Sequence, residues 1–182
     1  MRILYIVNDI NFFYSHRLPL ALKAIDKGWE VTVASNDIIN IDKRIKQIKI
    51  PIDRSSISIV KSFFLFFSVI RVIKKVKPII VHNVTLKPII IGSAVAFFFP
   101  KLIVINAVSG LGVLFTGNKK SLIRGVVEFL FKIIVKRKKT GFIFQNNVDL
   151  KVFQNNGLKR NFNIIKGSGV DGNIYKYKKP AN

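Results

Sequence analysis

Apolar and polar positions fall in alternating blocks along the chain. Ile3 to Val7 is a short, almost wholly apolar run rich in β-branched and aromatic residues, the pattern of a strand buried on both faces. Asn8-Asp9 closes it with turn chemistry. From near Ser15, Leu18, Leu20, Ala21, Leu22 and Ile25 fall at helical spacing up to a Lys27-Gly28 stop. Ser15 is the expected N-cap, and Pro19 lies in the first turn, where its missing N–H costs least. The chain therefore opens strand, polar loop, helix, with Asn8 to Arg17 as the loop.

The same reading continues to the end. Trp29 to Ala34 is a second strand and Lys46 to Ile50 a third, ended by Pro51. A helix capped by Ser55 or Ser56 runs to about Lys75, with so narrow a polar stripe that more than half its circumference wants burial. Ile79 to Val81 is a strand ending at His82-Asn83, and Lys87-Pro88 leads into a helix to Phe99. Leu102 to Ala107 is the next strand, followed by a helix over Ser121 to Lys136 and a strand over Gly141 to Phe144. A short helix to Asn156 is capped by Gly157, and Phe162 to Ile165 is the last strand. Strands separated by helical segments imply βαβ units with right-handed crossovers, hence an α/β fold with a mostly parallel sheet. Residues 1–171 read as one domain, and the basic tail 172–182, with Pro180, as the start of a connection.

Composition changes the picture in three ways. A net charge of +22 calls for an anionic partner. Nucleic acid does not fit, because the aromatic residues sit in apolar blocks and no nucleic-acid-binding signature occurs. An apolar fraction of 49% and a mean hydropathy of +0.33 point instead to an anionic membrane surface. The absence of cysteine fits a reducing compartment, and the N-terminal strand is not a signal peptide, so the expected location is cytoplasmic, peripheral at the inner face of the membrane. Ile89 to Phe115 is apolar enough to suggest a span, but Pro88 and Pro100 bracket too short a segment for the roughly 20 residues required.

In a parallel sheet the loops at the strands' carboxyl ends share one edge, where ligands bind. Here they are Asn8 to Arg17, His82 to Lys87, Ser109 to Phe115, Gln145 to Asn147 and Gly167 to Asp171, and they hold both histidines and the pairs Gly110/Gly112 and Gly167/Gly169. Alone, either histidine could be structural and either glycine pair a turn. The first loop has no glycine, so it is not a dinucleotide fingerprint. Two glutamates far apart in sequence argue against a paired-carboxylate glycosidase, and no P-loop, nucleophile elbow or D-x-D pair is present. Two histidines without cysteine make a metal site improbable, and no cofactor is expected.

Phe12 to Pro19, Val81-His82-Asn83 with Leu86-Lys87-Pro88, Ser109-Gly110-Leu111-Gly112, Phe144-Gln145-Asn146 and Gly167-Ser168-Gly169-Val170-Asp171 occur in the order seen in glycosyltransferase family 4. The chain resembles the N-terminal, acceptor-side domain of a GT-B enzyme of the bacterial polyprenyl-diphosphate-linked glycan type. The resemblance implies a Rossmann-like three-layer sandwich and a retaining, metal-free transfer from a nucleotide-diphosphate sugar to a membrane-linked glycan. It makes His16 the candidate catalytic residue and assigns Asn8, Asp9, Arg17, His82, Asn83 and Lys87 to acceptor or substrate binding. Ser109, Gly110, Leu111 and Gly112 become the donor-diphosphate loop, and Asn146, Gly167, Ser168, Gly169 and Asp171 the interdomain edge. The family's C-terminal domain, with its E-x7-E motif, falls outside the 182 residues, so a separate C-terminal chain is an expected partner and the chain alone is expected to be inactive. Two rivals stand beside this reading: a non-catalytic acceptor- or membrane-docking subunit, and an unrelated nucleotide-binding α/β domain.

Overall fold

The computed structural model describes residues 1–53, 56, 58–111 and 122–167. The strands are β1 (Arg2–Val7), β2 (Glu30–Ser35), β3 (Lys46–Lys49), β4 (Ile80–Val84), β5 (Ile103–Val108), β6 (Thr140–Phe144) and β7 (Phe162–Ile164). The helices are α1 (Ile10–His16), α2 (Leu18–Asp26), α3 (Ile59–Val76), α4 (Leu86–Ala96), α5 (Leu122–Ile134) and α6 (Asn147–Asn155). All seven strands form one parallel sheet in the order β3-β2-β1-β4-β5-β6-β7, the Rossmann-like α/β arrangement expected.

The apolar run of β1 has two destinations because its side chains alternate between sheet faces. Tyr5 and Val7 join Val31 and Val33 of β2 beneath α1 and α2, where Phe13 and Ala21 are fully buried. Leu4 and Ile6 join Val81 and Val104 under α3 and α4, packed by Leu65, Val69 and Val95. That second layer continues through α5 and α6, whose Phe131 and Phe153 rings stack at 4.1 Å and meet Phe142 and Phe144 of β6.

Four boundaries differ from the sequence reading. The stretch Asn8 to Arg17 is mostly helical: Asp9 caps α1 by accepting from Asn11 N, and Ile10 and Phe13 are buried one turn apart. Ser15 is therefore not an N-cap; its hydroxyl donates back to Asn11 O, and α2 starts from Arg17 without a side-chain cap. Helix α3 begins at Ile59, with Ser58 accepting from Lys61 N, rather than at Ser55 or Ser56. Strand β4 takes in His82 and Asn83, which pair in register with Tyr5 and Ile6 instead of opening a loop. Finally, α4 ends at Ala96, three residues before Phe99. Ser55, Gly112, Ser121, Ser168, Gly169, Asp171 and the tail 172–182 lie outside the described residues. Among the described residues, no helix is long and apolar enough to cross a membrane.

Candidate functional site

The junction between α1 and α2 brings Arg17 to the carboxyl edge of the sheet. Arg17 N closes α1 on Phe13 O, and Arg17 O accepts from Ala21 N to open α2, so its backbone is fixed from both sides. The side chain is 9% exposed; Nη1 donates to His16 O at 3.1 Å and Nη2 to Ser109 Oγ at 3.4 Å, while the guanidinium lies 5.9 Å from the Phe12 ring centroid. One cation thus ties the segment after β1 to the segment after β5. Burial lowers the Arg17 pKa from its usual value, and nearby Tyr5 partly opposes that.

Below Arg17 the groups are neutral. His82 stacks on Tyr5, with ring centroids 5.0 Å apart. Burial, with a smaller contribution from the Arg17 charge, pushes the His82 imidazole down to about 3, and burial raises the Tyr5 phenol to about 12. His82 Nε2 is buried without a hydrogen-bond partner among the described residues. Both rings beneath Arg17 are therefore neutral near pH 7.

His16 is exposed at the end of α1, stacked on Phe12 at 4.2 Å, with Nδ1 2.6 Å from Ser15 Oγ. The Ser15 hydroxyl proton goes to Asn11 O at 2.8 Å. With that hydroxyl directed to Asn11 O, Ser15 Oγ can accept from His16 Nδ1–H. Ser15 therefore orients the histidine rather than starting a helix.

Around this pair the edge carries strain and unmet polar groups. Thr85, between β4 and α4, has φ 74, a conformation that costs a β-branched residue of order 1–3 kcal/mol. Thr85 Oγ1 and Asn8 Oδ1 are both buried without hydrogen-bond partners among the described residues. Gly110 has φ +93, which an L side chain would resist, and the next amide, Leu111 N, donates to Asp149 Oδ1 at 3.3 Å. Asn146 caps α6 by accepting from Asp149 N and donates through Nδ2 to Asp149 Oδ2 at 2.9 Å. Asp149 thereby moors the glycine segment to α6.

The structure gathers His16, Arg17 and Ser109 at one edge and separates other expected site residues from it. Asn83 is fully buried, donating to Asn106 Oδ1 at 2.9 Å, with Ser93 closing the network. The Lys87 ammonium donates to the carbonyls of Asp53 and Ser56, which uses it to hold the approach to α3. Asp9 is occupied as a cap. Gly167, φ 75, follows β7. Sequence reasoning missed Asp149, Thr85 and Asn36, whose Oδ1 accepts from Ile10 N at 3.1 Å. Of these, only Asp149 left a signal, three residues after the capping Asn146.

The sequence family described as glycosyl transferase 4-like matches residues 2–146, which include β1 to β6 and the Arg17–Ser109 bridge. The chain belongs to the glycosyl transferase 4-like family. No protein of curated function matches the sequence of this glycosyl transferase 4-like chain. Among solved structures it is similar to sucrose-phosphate synthase from Thermosynechococcus elongatus (TM-score 0.65, 12% identity, 91% of this chain and 47% of that one). It also resembles UDP-N-acetylglucosamine 2-epimerase from Rickettsia bellii (TM-score 0.58, 13% identity, 92% and 45%) and UDP-GlcNAc 2-epimerase from Methanocaldococcus jannaschii (TM-score 0.55, 13% identity, 90% and 45%). At such identities the likeness is one of fold. The glycosyl transferase 4-like chain spans about half the length of each of these structures.

Proposed function

We propose that this chain supplies the acceptor-side wall of a retaining glycosyltransferase. It would move a hexosyl or N-acetylhexosaminyl group from a nucleotide-diphosphate sugar to a polyprenyl-diphosphate-linked glycan, at the inner face of the membrane. The family match carries the reading, and the carboxyl-edge geometry supports it. Arg17 brings a buried cation beside Ser109, Gly110 lets the backbone there come close to a diphosphate, and the exposed His16 imidazole lies at the same edge. Transfer needs donor and acceptor held together in a dry, preorganised cleft, and this chain contributes one wall of it. Donor affinity of the chain alone is expected to be weak, on the order of millimolar.

A membrane-docking subunit that recruits a separate catalytic chain is the second reading, favoured by the exposed apolar side chains of α3 and α5. The test is transfer from radiolabelled sugar nucleotides to polyprenyl-diphosphate acceptors, with and without a family C-terminal domain supplied in trans. Turnover that requires both parts, and that falls when Arg17→Ala is introduced, supports half an enzyme. Turnover by the 182-residue chain alone overturns the two-part reading, and complemented turnover indifferent to Arg17 overturns the site.

A further inference from the structure

Helices α3 and α5 bury one face and leave another apolar face in water. The inner side of α3 is Leu65, Val69, Val72 and Ile73, yet Phe63, Phe64 and Phe67 on its outer side are 61%, 65% and 43% exposed. Helix α5 repeats the arrangement: Val127, Phe131 and Ile134 are buried, while Val126, Phe129 and Ile133 are exposed. Spacings of three and four residues place each outer set on one helical stripe. Cations follow both stripes, Arg71 and Lys74 within α3 and Lys136 two residues past the end of α5. The two helices flank α4 on the same sheet face and run the same way, so their basic ends both lie toward the amino edge. The rings of Phe63, Phe66, Phe67 and Phe98 form a chain of edge contacts at 4.7–6.0 Å that extends this surface onto the end of α4.

Charge decides what can cover this face. A second copy would bring another +22 against the first. The acidic side chains of α3 and α5 reduce to Glu128, which is paired with Arg124. An apolar band next to a basic band instead matches the layering of a bilayer surface, where acyl chains lie beneath anionic headgroups. We infer that the outer faces of α3 and α5 together dock on an anionic lipid bilayer, Phe63, Phe64, Phe67 and Phe129 entering the acyl region while Arg71, Lys74 and Lys136 meet phosphates. This deepens the proposed function, because it holds the His16–Arg17 edge beside the membrane that carries the acceptor.

The experiment uses the full chain and needs no sugar transfer, so its result is independent of the enzymatic reading. Co-sedimentation is measured with vesicles of phosphatidylcholine alone and of phosphatidylcholine with phosphatidylglycerol. The wild type is expected to pellet with the anionic vesicles and to lose most binding at high salt. Replacing Phe63, Phe64 and Phe67 together by Ser, with the circular-dichroism spectrum unchanged, should weaken partition by roughly tenfold to a hundredfold. A separate Phe64→Trp variant, read against the parent chain with its native Trp29, should show blue-shifted emission with anionic vesicles and quenching by brominated acyl chains. Undiminished binding by the triple variant, or emission from the Phe64→Trp variant that the vesicles do not shift, overturns the inference. So does a wild-type dimer that the triple variant abolishes, which would assign the face to a second copy.

Discussion

The two histidines make opposite demands on their surroundings. His16 is exposed, its ring held among the described residues by Ser15 and Phe12, so His16→Ala should change stability by no more than about 0.5 kcal/mol. In the complemented enzyme the same change should lower kcat by about 10²–10⁴-fold, the usual worth of a general acid–base group. Equal kcat would remove His16 from the chemistry. His82, by contrast, should control acid stability. Its folded pKa of about 3 lies below the ordinary 6.5, so between those values the unfolded chain binds a proton that the fold refuses. Stability is then flat above about pH 6.5 and falls as the pH drops, by roughly 1.4 kcal/mol per unit from this group. Urea midpoints between pH 7 and 4 should fall less steeply for His82→Phe, which keeps a ring against Tyr5. Arg17 could be singled out from the sequence because it closes the polar stretch after β1 and stands in the Phe12 to Pro19 motif that carries the family resemblance. Asn83 could not be judged that way. Nothing in Val81-His82-Asn83 distinguishes an asparagine at a loop from one inside a sheet until the register with β1 is known.

Elements follow the same logic one level up. The buried parallel strands were readable because two apolar faces leave an unbroken apolar run, while α1 was not, because seven residues with only Ile10 and Phe13 buried carry too little periodicity. The start of α3 was missed because several serines precede it, and only the bond from Lys61 N to Ser58 Oγ selects one. Ser58→Ala should accordingly cost about 1 kcal/mol. Helix α4 packs closely on β4: a Cβ on Gly92 would lie 2.0 Å from Asn83 Oδ1. Gly92→Ala should destabilise by about 1–3 kcal/mol through overpacking of this buried network. Asn83→Ala removes the obstacle but takes one donor from Asn106 Oδ1, and the double variant should be more stable than the sum of the two single losses predicts. Additive losses in denaturant titrations would show that α4 does not sit on Asn83.

Across the whole molecule the carboxylates are not where most of the cations are. Asp26, Glu30, Asp37 and Asp42 sit around β2 and β3 with Arg44, Lys46 and Lys49, whereas the helix ends on the other side of the sheet carry lysines and arginines with few acids near them in sequence. A +22 chain therefore repels itself when compact. Adding salt shortens the Debye length from about 30 Å at 0.01 M to about 10 Å at 0.1 M and should raise the melting temperature. A melting temperature that falls with sodium chloride over that range would show that the few ion pairs outweigh the repulsion. The central position of β1 has a consequence for how this chain is made. Strand β1 pairs early with β2, but its other partner, β4, is encoded roughly 75 residues downstream, a long loop to close. During that interval one hydrogen-bonding edge of β1 and its apolar side chains remain uncovered in the nascent chain. Trigger-factor-like holding chaperones should be needed between synthesis of α1 and synthesis of β4, and slowing translation within that window should increase aggregation more than slowing it after β5.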